Sequence, residues 1–379
     1  MNRIELKGII VPGCDRQLDL SVPEGSICVL SASSADNTTK LLRMIAGFEQ
    51  PIQGAVFLND VCVFDWVRRT MIPPRERNLQ MIFSKPALVP LKSAAQNIVS
   101  IFEKPCRFQA KKDPRVVEVL NFLGLDGVAG TPVCKLSRWK RFGVQLARAL
   151  ISNSRLIIVE DPFSQTDAET AHHIVRLLRR VGRIPDMTLV IGVADPTILS
   201  GLANQIVIAT ENTLQVGTAA EFYRAPACIE IARRLGCPSI NLLEGVVQLQ
   251  REYLTVQSAL GIWQFPLDDP SIQPWERGLF HCVVGVRAQE YTFRCPQETE
   301  ESGTAEEQLI CVDQCLDTYF TTDSIRRLDG EGVCINYQPS LFVASGDRVL
   351  LSTNRSHTCI FDKVTGRLIK GYSPPASTA

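Results

Sequence analysis

The stretch from Ser26 to Gly47 constrains the fold more than any other part of the chain. Ser26-Ile27-Cys28-Val29-Leu30 is a continuous apolar run, the mark of a strand buried on both faces. Ser31 to Asn37 is a loop of small polar residues, and Thr38 to Ala46 (TTKLLRMIA) reads as a helix that Gly47 stops. Strand, loop and helix in this order form the setting that a phosphate-binding loop requires. Further apolar runs follow at Leu156–Val159 (then Glu160-Asp161-Pro162), Thr188–Val193 and Gln205–Ile208. Such strands, separated by helical stretches, predict an α/β fold with a parallel sheet covered on both faces. Residues 95 to 150 have helical periodicity and few strand runs, which predicts a helical insertion.

The pattern changes near Leu235. Short alternating runs at Leu243–Val247, His281–Val286, Arg348–Ser352 and Cys359–Phe361 are separated by turn residues, which predicts a small β-barrel or sandwich. The acidic stretch Cys295–Glu307 reads as a surface loop. A chain of 379 residues accommodates the two domains this implies, 1–235 and 236–379. Lys+Arg and Asp+Glu both number 40, and this neutral balance argues against a nucleic-acid binder held mainly by phosphate contacts. No apolar run approaches the roughly 20 residues of a spanning helix, and Met1–Glu5 lacks the apolar core of a secretory signal, so a cytoplasmic location is expected. Thirteen Cys without a C-x-x-C pair, and only four His, give no metal-ligand spacing, and the Cys read as reduced core residues.

Several longer words then occur in order: LLRMIAGFEQPIQGAVFLND (41–60), IPPRERNLQMIF (72–83), ALVP (87–90) and LARALISNSRLIIVEDPFS (146–164). After them come VGTAAEFYRAPA (216–227), GCPSINLLEG (236–245) and VGVRAQEY (284–291). With them the chain resembles the ATP-binding-cassette (ABC) subunits of bacterial importers, in the group that includes the maltose, glycerol-3-phosphate and polyamine ATPases. The resemblance covers nearly the whole chain. It implies a P-loop NTPase-like ABC domain over 1–235, with its helical subdomain at about 95–150. An all-β, OB-like regulatory domain of the TOBE type follows over 236–379. It also implies ATP and magnesium as cofactors, permease subunits as partners, a homodimer or a heterodimer with another ABC ATPase, and a peripheral place on the inner face of the cell membrane.

The catalytic words depart from the family one by one. In the phosphate loop Ser31, Ser34 and Asp36 stand where the family has glycines, and Asn37 stands in place of the lysine. Glycines let backbone N–H groups close around phosphate, and lysine neutralises its charge. Asp36 is expected to put a carboxylate where phosphate oxygens belong. Thr38, the family's magnesium-binding hydroxyl, and Thr39 are kept. No aromatic residue precedes Phe48, so the adenine platform is missing. The glutamine that senses magnesium is Ser84, and the signature LSGGQ reads Leu136-Ser137-Arg138-Trp139-Lys140, with only Ser137 of its phosphate-facing residues kept. The Asp-Glu pair is exchanged: Glu160 takes the place of the magnesium-supporting aspartate, and Asp161, one methylene short, that of the general base. Asp167 keeps the D-loop carboxylate, while Ala194 replaces the switch histidine. His172 and His173 read as surface residues.

The resemblance thus leaves Glu160 and Asp161 as a remnant acidic pair, Thr38, Thr39, Ser137 and Asp167 as a remnant ATP site, and Thr38 and Glu160 as a remnant magnesium site. Losses within one catalytic constellation do not multiply, but each removes a transition-state contact. The expectation is a pseudo-ATPase with a structural or regulatory role in a sugar, glycerol-phosphate or polyamine importer. Two readings stay open beside it: a weakly ATP-binding, slowly hydrolysing importer ATPase, and a soluble interaction protein outside transport.

Overall fold

The computed structural model describes residues 2–85, 87–102, 110–236, 239–249, 252–258, 261–273, 279–294, 307–311, 324–326, 332–334 and 348–372. Most of the acidic stretch at 295–307 lies outside the described residues. The chain divides into two compact units, Met1–Ala219 and Ala220–Ala379.

The first unit holds two sheets. Strands β1 (Asn2–Ile10), β2 (Gln17–Pro23) and β3 (Ile27–Ser31) lead into helix α1 (Ala35–Ala46). Strands β4 (Ala55–Leu58), β5 (Val61–Asp65) and β6 (Thr70–Met71) follow, then β7 (Gln80–Ile82). Helices α2 (Ala94–Ile98), α3 (Pro114–Leu123) and α4 (Arg138–Leu150) fill most of the predicted helical segment. Strand β8 (Leu156–Glu160), helix α5 (Ala168–Val181) and strands β9 (Thr188–Gly192), β10 (Gln205–Ala209) and β11 (Leu214–Gly217) complete the unit. One sheet has the order β2-β1-β4-β5-β6 and is antiparallel. The other has the order β11-β10-β3-β9-β8-β7 and is parallel except for its edge strand β11.

Every residue of β3, β8 and β9 is buried, as their unbroken apolar runs predict. Successive side chains of a strand leave on opposite faces. Cys28, Leu30, Leu156, Ile158 and Val190 join Leu41, Leu42 and Ile45 of α1 and the inner face of the antiparallel sheet in one core. Ile27 points to the other face, where it packs against Gly182 at the end of α5.

Helix α1 begins earlier than the sequence pattern suggests, at Ala35 rather than Thr38. The Ser34 hydroxyl accepts from Asn37 N at 3.1 Å, so an N-cap draws Ala35, Asp36 and Asn37 into the first turn. Its end lies at Ala46, with Gly47 in the left-handed conformation (φ 86°) closing the last turn onto Arg43 O and Met44 O. A β-carbon at Gly47 would collide with Arg77. Arg77 is 3 % exposed, and its guanidinium donates to Ile72 O (2.8 Å), Met44 O (3.2 Å), Ile45 O (2.8 Å) and Val63 O (3.4 Å). It therefore caps α1 and ties it to β5. Burial lowers its pKa to about 10, which leaves it charged at neutral pH.

The second unit opens with α6 (Ala219–Arg224) and α7 (Ile229–Arg234) and is otherwise β. Strands β12 (Asn241–Leu249), β13 (Tyr253–Ser258), β14 (Gly261–Pro266) and β15 (Leu279–Val286) come first. Strands β16 (Tyr291–Arg294), β17 (Glu307–Cys311), β18 (Ser324–Arg326) and β19 (Gly332–Cys334) follow, and β20 (Arg348–Thr353), β21 (Thr358–Asp362) and β22 (Leu368–Lys370) end the unit. They form a six-stranded sheet, β14-β13-β12-β15-β21-β22, a three-stranded sheet, β16-β20-β17, and the hairpin β18-β19. Arg287, fully buried, donates to Ala232 O at 3.1 Å and Leu235 O at 2.5 Å, and stacks over Tyr223, so it caps α7 and fastens it to the end of β15. Cys14, Cys28, Cys62, Cys134, Cys228, Cys282 and Cys359 are free, and all of these but Cys62 and Cys134 are buried.

Arg77 joins the end of α1 to the antiparallel sheet. Replacing it by Met leaves four buried carbonyls without their donor, and Arg77→Met is expected to lose about 3 kcal/mol of unfolding free energy in urea titration. Arg77→Lys, which lacks the planar fork, should recover only part of that loss.

Candidate functional site

The parallel sheet places the ends of β3, β8 and β9 side by side, and the loops that leave them carry most of the residues singled out above. In the loop after β3 the side chains of Ser31, Asn37 and Thr38 are hydrogen-bonded within the chain. Ser31 Oγ donates to Ala194 O (3.1 Å), which links the loop to the segment that follows β9. Thr38 Oγ1 accepts from Ala32 N (2.9 Å) and donates to Ser34 O (2.9 Å), and Thr38 is 3 % exposed. Asn37 Nδ2 donates to Ser33 Oγ (2.8 Å). The turn between β1 and β2 covers this pair. Gly13 has φ 69°, and a β-carbon on it would come within 2.9 Å of Asn37 Cγ and 2.5 Å of Ser33 Oγ. The space above the loop is therefore taken by the side chain that replaces the lysine.

Asp36 corrects the sequence expectation. Its side chain is 75 % exposed and pairs with Lys40, one turn on, at 2.9 Å. It turns outward to solvent and complements the helix N-terminus. The loop is held by the bonds of Asn37 and Thr38, and no carboxylate points into it. Thr39 lies half-buried on α1.

At the end of β8, Glu160 is 4 % exposed. Its Oε1 accepts from Ser84 Oγ (3.1 Å) and from Arg43 Nη2 (3.3 Å), while Oε2 is buried and has no bonding partner. Asp161, at φ 35°, accepts from the backbone N–H groups of Phe163 and Ser164, and burial raises its carboxyl pKa. Ser84, Glu160, Asp161, Arg138, Arg141 and Gln145 contribute the polar walls of a cavity of about 170 Å³, closed by Phe83, Phe142, Pro162 and Ile174.

Arg138 and Trp139, at the start of α4, have partners on neighbouring segments of this chain. Ser137 is the backbone N-cap of α4, and its hydroxyl makes no capping bond. Arg138 donates to Ser164 O and to Gln165 O (3.5 Å), beside the D-loop. Trp139 stacks on His173 of α5, with ring centroids 4.4 Å apart and planes 11° from parallel. His173 is thus a stacking partner, which corrects the expectation of a plain surface residue, and sequence spacing gave no signal for the pairing. Asp167 caps α5, accepting from Thr170 N (2.7 Å) and Thr170 Oγ1 (3.1 Å), and these bonds lower its pKa. It is occupied locally.

The donor set does not fit magnesium-ATP. Thr38 spends its hydroxyl inside the loop, Asp161 faces the turn after it, and only Glu160 Oε2 is left over. Among the described residues no three His, Cys, Asp or Glu side chains gather to hold a metal ion. Two residues that sequence reasoning did not single out, Arg43 and Arg141, belong to this region.

Residues 16–164 match the family model described as ABC transporter. The chain is 29 % identical over 233 residues to the trehalose/maltose import ATP-binding protein MalK of Thermococcus litoralis, covering 61 % of this chain and 63 % of that one. It is 28 % identical over 222 residues to the spermidine/putrescine import ATP-binding protein PotA of Legionella pneumophila, covering 58 % and 59 %. It therefore spans about three fifths of these two relatives. A longer match, to the sn-glycerol-3-phosphate import ATP-binding protein UgpC of Psychromonas ingrahamii, is 25 % identical over 357 residues and covers 93 % of this chain and 91 % of that one.

Asp161 supplies a pH test. Its folded pKa lies above its unfolded value of 3.8, so the ionised form costs stability above the folded pKa. That cost fades as pH falls through the folded pKa towards 3.8. Asp161→Asn is expected to melt above the parent at pH 7, with the gap closing as the pH is lowered to about 4. A gap that widens on acidification would contradict the assignment.

Proposed function

We propose that this chain, whose residues 16–164 match the ABC transporter family model, is the ATP-binding-subunit homologue of a solute importer, working as a pseudo-ATPase in a structural or regulatory role. The single observation that carries this is the phosphate loop bonded to itself: Asn37 to Ser33, Thr38 to Ala32 and Ser34, and the Gly13 turn over both. To cradle a phosphate the loop would have to break these bonds, and no lysine would repay the cost. The signature supports the same reading, since Arg138 and Trp139 engage the D-loop and α5 of their own subunit and replace the backbone approach a partner's phosphate would need.

The transport setting follows from the relatives, whose names place them in maltose, polyamine and glycerol-3-phosphate import. Their partners would be permease subunits and a second ABC subunit, at the cytoplasmic face of the membrane. Among the described residues no helix is long and apolar enough to cross a membrane. The segment following Ser84 is built to present a surface. Asn97, 1 % exposed, accepts from Val89 N (2.7 Å) and donates to Val89 O (3.1 Å), Lys92 O (3.2 Å) and Ser93 O (3.0 Å). That clamp leaves Val89 and Leu91 47 % and 85 % exposed. An apolar knuckle fixed in this way is the kind of surface on which a permease loop docks.

Calorimetric titration of the full chain with magnesium-ATP is expected to show no saturable binding below the millimolar range, and an ATPase assay no turnover above background. Micromolar affinity would overturn the reading. The paired substitution Asp36→Gly and Asn37→Lys removes the Asn37–Ser33 bond and restores a cation, and it is expected to raise ATP affinity.

A further inference from the structure

A carboxylate as deeply buried as that of Glu160 requires a counter-charge, because an unpaired ion in the interior costs several kcal/mol. Two sources exist in principle: a metal ion, or a cation of the chain. The structure provides the second. Arg43, about two turns from the start of α1, reaches Glu160 Oε1 at 3.3 Å, and the Ser84 hydroxyl donates to the same oxygen at 3.1 Å. Arg43 is also held at its outer side by Glu49, at 3.7 Å. Three elements meet here, α1, the segment after β7 and the end of β8. Each of the neighbouring oxygen donors that a hydrated divalent cation would need is engaged elsewhere, Thr38 in the loop and Asp161 in its turn. The extra methylene of glutamate over aspartate lengthens the arm towards α1.

We infer that Arg43 is the resident counter-ion of Glu160, standing in place of a divalent cation and latching α1 to β8 and Ser84. The buried Oε2 is the one oxygen a metal would still find, so the test is aimed at it. Mn²⁺ is titrated into the nucleotide-free full chain and followed by the paramagnetic resonance of the free ion, alongside thermal melting with Mg²⁺ or with chelator. Because no nucleotide is present, the outcome is independent of whether ATP binds. The wild type is expected to take up no Mn²⁺ through Glu160 and to melt at the same temperature with Mg²⁺ or chelator. Arg43→Met strands the carboxylate and should lower the folding equilibrium constant by on the order of a hundredfold. Adding Glu160→Gln should recover most of that loss, a rescue that mere loss of packing at Arg43 would not give. If Arg43→Met does not fold, the comparison is made with Arg43→Lys, which is expected to be less stable than wild type and to gain from Glu160→Gln. Millimolar or tighter Mn²⁺ binding by wild type that Glu160→Gln abolishes would overturn the inference, as would an Arg43→Met chain that melts with the wild type.

Discussion

The first unit depends on one constraint: a parallel sheet whose central strands are buried on both faces. Strands β3, β8 and β9 have no exposed residue, and their polar side chains, Ser31, Glu160 and Thr188, stand only at strand ends. Polar chemistry is pushed to the strand ends, and the register of the ladder sets those ends level. Leu30 pairs with Gly192, and Glu160 with the same glycine. The proximity of the β3 loop, the β8 acids and Ala194 is thus a product of backbone pairing, and it persists whatever residues occupy the loops.

That persistence allows the architecture to stay the same while the loop residues vary. The exchanged residues have found partners of their own. Asn37 and Thr38 knit the phosphate loop, Arg138 and Trp139 bind the D-loop and α5, Asp167 caps α5, and Arg43 and Ser84 hold Glu160. A site meant for a ligand keeps polar groups unsatisfied until the ligand arrives. Here most are satisfied internally, which favours stability. Glu160 Oε2 and the cavity beside Arg141 and Gln145 are what is left of the open chemistry.

The buried strands of the parallel sheet, the α1 stop at Gly47 and the shift to β structure in the C-terminal part were legible because unbroken apolar runs, glycine stops and alternation are local signals. The start of α1 was missed by three residues because Ser34 was counted as loop when its hydroxyl makes a cap. The orientation of Asp36 was misjudged because a helical i,i+4 partner, Lys40, competes for it. His173, Arg43 and Arg141 carried no sequence signal, since their partners lie on other elements.

The sequence by itself determined which side chains stand in the loop after β3, at the start of α4 and at the strand ends. Only the tertiary structure decided what those side chains do instead. A lost residue type is visible in one dimension. Whether its replacement faces a ligand, a solvent shell or another side chain depends on distances between α1, α4, α5, β7 and β8, which the folded sheet alone brings within hydrogen-bond reach.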